Sequence, residues 1–196
     1  MEDRHGEKIL VHICCAACFS YVEKILRSEK WQVVGFFYNP NVHGRSEYGK
    51  RLQDVKKFCQ EKEIELITVA YNVQDFFSQI MPYQDEKSIK FIRDKKRWKV
   101  KRCQICLKTI LLKGYEEAKS KQIPYFTTTM LTTPYKDHEE IEDICSRMVD
   151  KESEVRFYYR DFRKGYWNGR NFAKNHNMYI PSYCGCVYSA EEGILE

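Results

Sequence analysis

Seven of the nine cysteines fall into three tight groups: Cys14, Cys15 and Cys18; Cys103 and Cys106; Cys184 and Cys186. Three thiols within five residues are hard to explain by packing. The first group lies in a turn just ahead of a helical pattern, where the positive end of the helix dipole favours thiolates. Cys103 and Cys106 also fit a helical core stripe with Leu107, Ile110 and Leu111, so spacing alone leaves that pair open. The basic residues before it tip the balance, because cations lower a thiol pKa and offset the charge of a thiolate-bound metal. Cys184 and Cys186 put two sulfurs on one side of an extended chain, and Gly185 between them lets the backbone approach a bulky ligand. A disulfide across a single residue is strained, so metal ligation is the better reading of that pair. Cys59 and Cys145 lie on the apolar stripes of predicted helices and read as core.

A structural zinc ion closes its shell with four ligands, fewer than the thiols available here. Thiolates also hold iron–sulfur clusters, for which three or four cysteines suffice, leaving others for a second centre or for catalysis. A redox metal site is therefore favoured, while zinc plus a reactive dithiol stays open. Asp161 could add a carboxylate ligand or a proton donor, and it could equally form a salt bridge to Arg160 or Arg163. His12 sits in a buried strand and reads as a satisfied core group; His5, His43, His138 and His176 have surface contexts.

The elements that must position these groups alternate. Ile9 to Ile13 reads as a buried strand; Ser20 and Glu23 then match a capping box ahead of a helix carrying Val22, Ile25 and Leu26. Strands are expected over Val33–Tyr38, Ile64–Ala70, Tyr125–Leu131 and Arg156–Tyr159, with helices over Tyr48–Glu63, Cys103–Lys121 and Asp137–Lys151. Residues 71–102 have no clean period and suit an exposed basic insertion. The pattern predicts one α/β domain over residues 1–196, a parallel sheet with helices on both faces, whose ligands sit beyond the carboxyl ends of the strands.

Charge and hydropathy narrow the class further. The longest apolar run, Val33 to Tyr38, is six residues, far short of a membrane span, and the charged start Met1–Lys8 lacks the apolar middle of a secretory signal. A cytoplasmic protein with reduced thiols is expected. The net charge of +5 is concentrated: Lys90 to Arg102 carries a net +7, leaving the remainder at −2. That stretch, with Lys95, Lys96, Arg97, Lys99 and a stackable Trp98, fits a polyanion footprint. Arg160, Arg163, Lys164 and Arg170, interleaved with Tyr158, Tyr159, Tyr166 and Trp167, form a second.

Several segments, in order, resemble the cobalamin-independent epoxyqueuosine reductases: Val11-His12-Ile13-Cys14-Cys15-Ala16-Ala17-Cys18, Tyr38-Asn39-Pro40-Asn41 with Glu47-Tyr48, Arg102-Cys103-Gln104-Ile105-Cys106, Thr127-Thr128-Thr129-Met130-Leu131, Asp161-Phe162-Arg163 and Tyr183-Cys184-Gly185-Cys186. The likeness runs from about residue 8 to 189, and proline is commoner in the family where Ala17 stands. The resemblance implies a Rossmann-like fold related to the ATP-pyrophosphatase (HUP-like) proteins, with cysteines where those carry a Ser/Gly-rich phosphate loop; without that loop, nucleotide binding loses its physical basis. It implies reduction of the epoxide of epoxyqueuosine at the wobble position of tRNA to give queuosine and water. It also implies an iron–sulfur cluster of the 4Fe-4S kind, an additional iron ion beside it, and an electron donor.

Within that expectation Cys103, Cys106 and either Cys14 or Cys15 are assigned to the cluster. Cys184, Cys186 and the other first-loop thiols are assigned to a second metal or a proton source, with Cys18 and Asp161 as the catalytic candidates. Two other classes remain: a zinc-stabilised tRNA-binding module, and a sulfur-transfer enzyme on tRNA that would require ATP.

Overall fold

The computed structural model describes residues 6–83, 100–148 and 154–191. Its centre is a five-stranded, all-parallel sheet in the order β3-β2-β1-β4-β5. The strands are β1 (Lys8–His12), β2 (Gln32–Phe37), β3 (Glu65–Thr68), β4 (Tyr125–Thr128) and β5 (Arg156–Phe157). Near-continuous runs such as Ile9-Leu10-Val11 and Phe36-Phe37 have almost no exposed surface, as a parallel sheet covered on both faces requires.

Seven helices cover it among the described residues: α1 (Ala16–Ser28), α2 (Arg45–Glu61), α3 (Gln74–Ile80), α4 (Lys101–Ser120), α5 (His138–Met148), α6 (Tyr166–Asn175) and α7 (Val187–Glu191). Helix α1 packs on α2 and α6, and α4 packs on α3 and α5. The chain winds outward from β1 to β3, then returns across the sheet to β4. The loops after β1 and β4 therefore diverge at a crevice, the place where doubly wound sheets bind ligands. No helix among the described residues is long and apolar enough to cross a membrane.

Three local expectations change. Helix α1 begins at Ala16 with Cys15 as its N-cap, so Cys18 sits in the first turn. Ser20 and Glu23 do not form a capping box: Ser20 donates to the Ala17 carbonyl at 2.9 Å and Glu23 pairs with Arg27 at 2.8 Å. Part of the expected insertion over 71–102 is α3, whose Phe76 and Ile80 are buried against Cys186. His43 and His138 are not simple surface groups. His43 accepts the Val187 amide at 2.8 Å and stacks on Phe77, while His138 is buried with Nδ1 3.2 Å from the Tyr159 hydroxyl.

Candidate metal centre

All seven grouped cysteines line one cavity at that crevice, joined in its wall by Asn39, Asn41, Arg51, Met130, Thr133, Lys136, Tyr166 and Arg170 among others. They arrive from three places: the β1–α1 turn with the first turn of α1, the first two turns of α4, and the segment ahead of α7. Cys59 and Cys145 are elsewhere, in the core, and burial pushes the Cys59 thiol up to about 12.

The sulfurs of Cys14, Cys15 and Cys18 lie within 4.8 Å of one another. Thr129, the first residue after β4, accepts the Cys14 amide at 3.0 Å and donates its hydroxyl to Cys14 Sγ at 3.2 Å. Hydrogen bonds from Cys15 and Cys18, and then from Thr129, draw Cys14 well below the usual thiol range. The same crowding, led by the contact with Cys14, drives Cys15 and Cys18 upward. Three sulfurs this close cannot all carry charge unless a cation joins them. The first turn of α1 presents its amides and dipole to the same point.

Of the other four thiols, two are in close contact. Cys184 Sγ is 3.6 Å from Cys186 Sγ and 3.2 Å from the Ser189 hydroxyl. Cys106, Cys184 and Cys186 share an apolar cluster with Phe76 and Ile80. Desolvation, followed by the opposing pull of Lys136 and then repulsion from Cys184 and Cys103, leaves the Cys106 thiol raised.

The Cys184 segment is held by Arg51, which is buried and donates to the Cys184 carbonyl at 3.2 Å and the Tyr183 carbonyl at 2.9 Å. Glu47 steadies the guanidinium at 2.8 Å and accepts the Tyr179 hydroxyl at 2.6 Å. Gly185 has φ +107°, and a Cβ there would stand 2.8 Å from Val42 and 3.2 Å from Arg51. The glycine thus admits Val42 and Arg51, where the sequence suggested room for a ligand.

Asp161 is not among the cavity-lining residues. It is exposed, and two hydrogen bonds from the Arg163 guanidinium, at 2.9 and 2.6 Å, hold its carboxyl down to about 2. That is the salt bridge the sequence left open. Arg160 pairs with Glu29, Lys164 is exposed, and Trp167 is 67% exposed beside Tyr166, at a ring separation of 5.2 Å. Lys95, Lys96, Arg97, Trp98 and Lys99 lie outside the described residues.

A family model described as epoxyqueuosine reductase QueH matches residues 9–192. The chain belongs to the QueH family. Among its relatives, epoxyqueuosine reductase QueH of Dehalococcoides mccartyi is 32% identical over 187 residues, which cover 94% of this chain and 93% of that one. The Thermotoga maritima QueH is 30% identical over 191 residues, covering 94% and 91%. As a member of the QueH family the chain is an oxidoreductase. A solved structure described as a predicted subunit of tRNA methyltransferase from Methanocaldococcus jannaschii shares the fold, with TM-score 0.51 and 13% identity, covering 86% of this chain and 74% of that one.

In this QueH chain the thiols are visible in sequence, but the residues that support them carry weaker signals. Thr129, Asn41 and Arg51 lie in or beside motifs, whereas Lys136 carries no local signal at all. His12 is the satisfied core group expected: its ring bridges the Thr128 hydroxyl at 3.0 Å and the Tyr38 carbonyl at 3.1 Å.

Proposed function

We propose that this chain reduces epoxyqueuosine at the wobble position of tRNA to queuosine, using iron held by the thiols of the cavity. The observation that carries the reading is the convergence of seven cysteines from three distant segments on one cavity of a QueH-family fold. A lone structural ion needs four.

The donor set fits two centres. A tetrahedral ion with metal–sulfur bonds near 2.3 Å puts its sulfurs roughly 3.8 Å apart. Cys14, Cys15 and Cys18, all within 4.8 Å of one another, suit three positions of one iron ion with a fourth left open. The remaining four, Cys103, Cys106, Cys184 and Cys186, match the number of thiolates that would hold a cluster, with the Cys184 and Cys186 sulfurs 3.6 Å apart. This partition separates Cys103 and Cys106 from the first loop, because packing joins Cys106 to Cys184 and Cys186. It makes Cys18 an iron ligand, while Asp161, tied to Arg163, positions the nearby loop.

When bound, the iron would supply electrons and a Lewis-acidic position for the epoxide oxygen. Two electrons and two protons convert the epoxide to the carbon–carbon double bond of queuosine and one water. The Lys136 ammonium lines the cavity and holds a proton for the departing oxygen. Thr129 fixes the direction of Cys14, and Arg51 fixes the Cys184 carbonyl. Low-potential electrons come from an external donor, and tRNA as substrate makes the reaction cytoplasmic.

The anticodon loop approaches along α6. Tyr166 and Arg170 line the cavity, Arg170 donating to the Tyr166 hydroxyl and the Pro181 carbonyl at 3.3 Å each, while Trp167 one residue away offers an exposed stacking face. Lys164 supplies phosphate contact at the rim, with Arg160 and Arg163 shaping it through their ion pairs. Lys95, Lys96, Arg97, Trp98 and Lys99 extend the basic footprint.

Anaerobically reconstituted protein, given tRNA carrying epoxyqueuosine and a low-potential reductant, is expected to release on digestion a nucleoside lighter by one oxygen atom, without ATP or cobalamin. In the same assay Trp167→Ala with Lys164→Ala should raise the KM for tRNA and leave iron content unchanged. Intact epoxide in protein with its full iron complement would contradict the reading.

A further inference from the structure

The cavity contains a polar group that the metal chemistry does not use. Asn41 is 8% exposed and lines the cavity, yet its side-chain carbonyl Oδ1 is buried without a hydrogen-bond partner. Leaving a buried acceptor unmade costs about 1–3 kcal/mol, so such a group is retained where something else satisfies it.

The loop that carries Asn41 is tied down on both sides. Asn39 donates its amide to the Ile13 carbonyl at 2.9 Å, and the Val42 amide donates to the Asn39 carbonyl at 3.1 Å. The Tyr71 hydroxyl donates to the Val42 carbonyl at 2.8 Å, and the His43 amide to the Gly185 carbonyl at 2.9 Å. The backbone on either side of Asn41 is therefore fixed before any ligand arrives, which limits the positions open to its side chain, and such preorganisation raises what a single hydrogen bond contributes to selection.

Resting on the reductase reading above, we propose that Asn41 is a specificity-determining contact to the substrate's cyclopentane ring, its Oδ1 accepting a hydrogen bond from a ring hydroxyl. The epoxide must lie against the thiol-held metal to react, and the hydroxyls on the same ring are the donors that enter the cavity with it. The basic side chains in the lining, Arg51, Lys136 and Arg170, donate and cannot accept. The Asn41 carbonyl supplies an acceptor that they cannot.

The test is equilibrium binding to oxidised, iron-loaded protein without reductant. It compares tRNA carrying epoxyqueuosine with the same tRNA carrying guanine at the wobble position. Wild type should prefer the modified tRNA. Asn41→Leu and Asn41→Ala should each lose about tenfold of that preference, with binding of the guanine tRNA and iron content unchanged. Asn41→Asp, which keeps an acceptor, should retain it. An unaltered preference in both apolar variants, or none in wild type, would overturn the proposal. Loss of iron in all three variants would also overturn it, since Asn41 would then belong to the metal site. Preference without turnover on adding reductant would sink the reductase reading while leaving Asn41's role standing. Turnover with an unaltered preference in the variants would do the reverse.

Discussion

Cys106→Ser and Cys184→Ser should each cost the protein cluster iron and about a hundredfold or more of its epoxide-reducing rate, because losing a ligand costs at least as much as losing the groups that orient one. Cys59→Ala and Cys145→Ala should keep both. These two side chains are 2% and 0% exposed in the core and take no part in the cavity lining, so their removal costs a small packing defect of about 1 kcal/mol. Cys14→Ser, Cys15→Ser or Cys18→Ser should remove a single iron and leave cluster sulfide in place, since those sulfurs are spaced for one ion. Iron and acid-labile sulfide per chain, measured beside the rate, read all of this. Iron that fell in Cys59→Ala and survived in Cys184→Ala would break the sorting, and equal iron loss and sulfide loss in Cys14→Ser would break the partition.

The second large effect arises away from the thiols. Helix α6 crosses α1 so closely that a Cβ on Gly169 would stand 2.2 Å from the Ala17 carbonyl oxygen. That oxygen is backbone in the first turn of the helix that presents Cys18, so it cannot swing aside as a side chain could. Gly169→Ala should therefore sit at the upper end of overpacking costs, about 3 kcal/mol, lowering the apo-protein melting temperature by about 10 °C. Gly165→Ala meets the Tyr21 ring instead, at 1.9 Å, and that ring is a movable, half-buried side chain. It should cost less. Thermal unfolding of the two variants checks the order; a Gly169→Ala protein that melts like wild type would mean α1 and α6 can separate freely, and with them the first-turn thiols.

Much of the fold is legible in the sequence. Strands show themselves when β-branched and aromatic runs are bounded by turns, as at Ile9-Leu10-Val11 and Val33-Val34, and alternation with helices then dictates the parallel sheet. Thiol groups are legible because three cysteines in five residues, or two flanking a glycine, have few packing explanations. Short elements hide. Helix α3 is seven residues with Phe76, Phe77 and Ile80, too brief for a period to emerge. The N-cap of α1, Cys15, makes no side-chain cap and so leaves no sequence signature, while Ser20, four residues into the helix, and Glu23 imitate one.

The site's supports depend on tertiary approach. Arg51 reaches residues more than 130 positions away, at Tyr183 and Cys184, and Thr129 reaches Cys14 across 115. Nothing local in the sequence announces such pairs. Asp161 is a different case: a carboxylate within a motif invites a chemical role, and Arg163 two residues on holds it in an ion pair at the surface.

The most direct measurement joins the metal to the substrate in a single turnover. Protein is reduced anaerobically, freed of reductant, and mixed with tRNA carrying epoxyqueuosine, while the visible and electron-paramagnetic spectra are followed and the nucleosides are identified by mass. Queuosine should form in proportion to the electrons the metal gives up, two per epoxide, as the spectrum returns to that of the oxidised protein. Queuosine formed while the metal stays reduced, or oxidation of the metal with the epoxide intact, would contradict it.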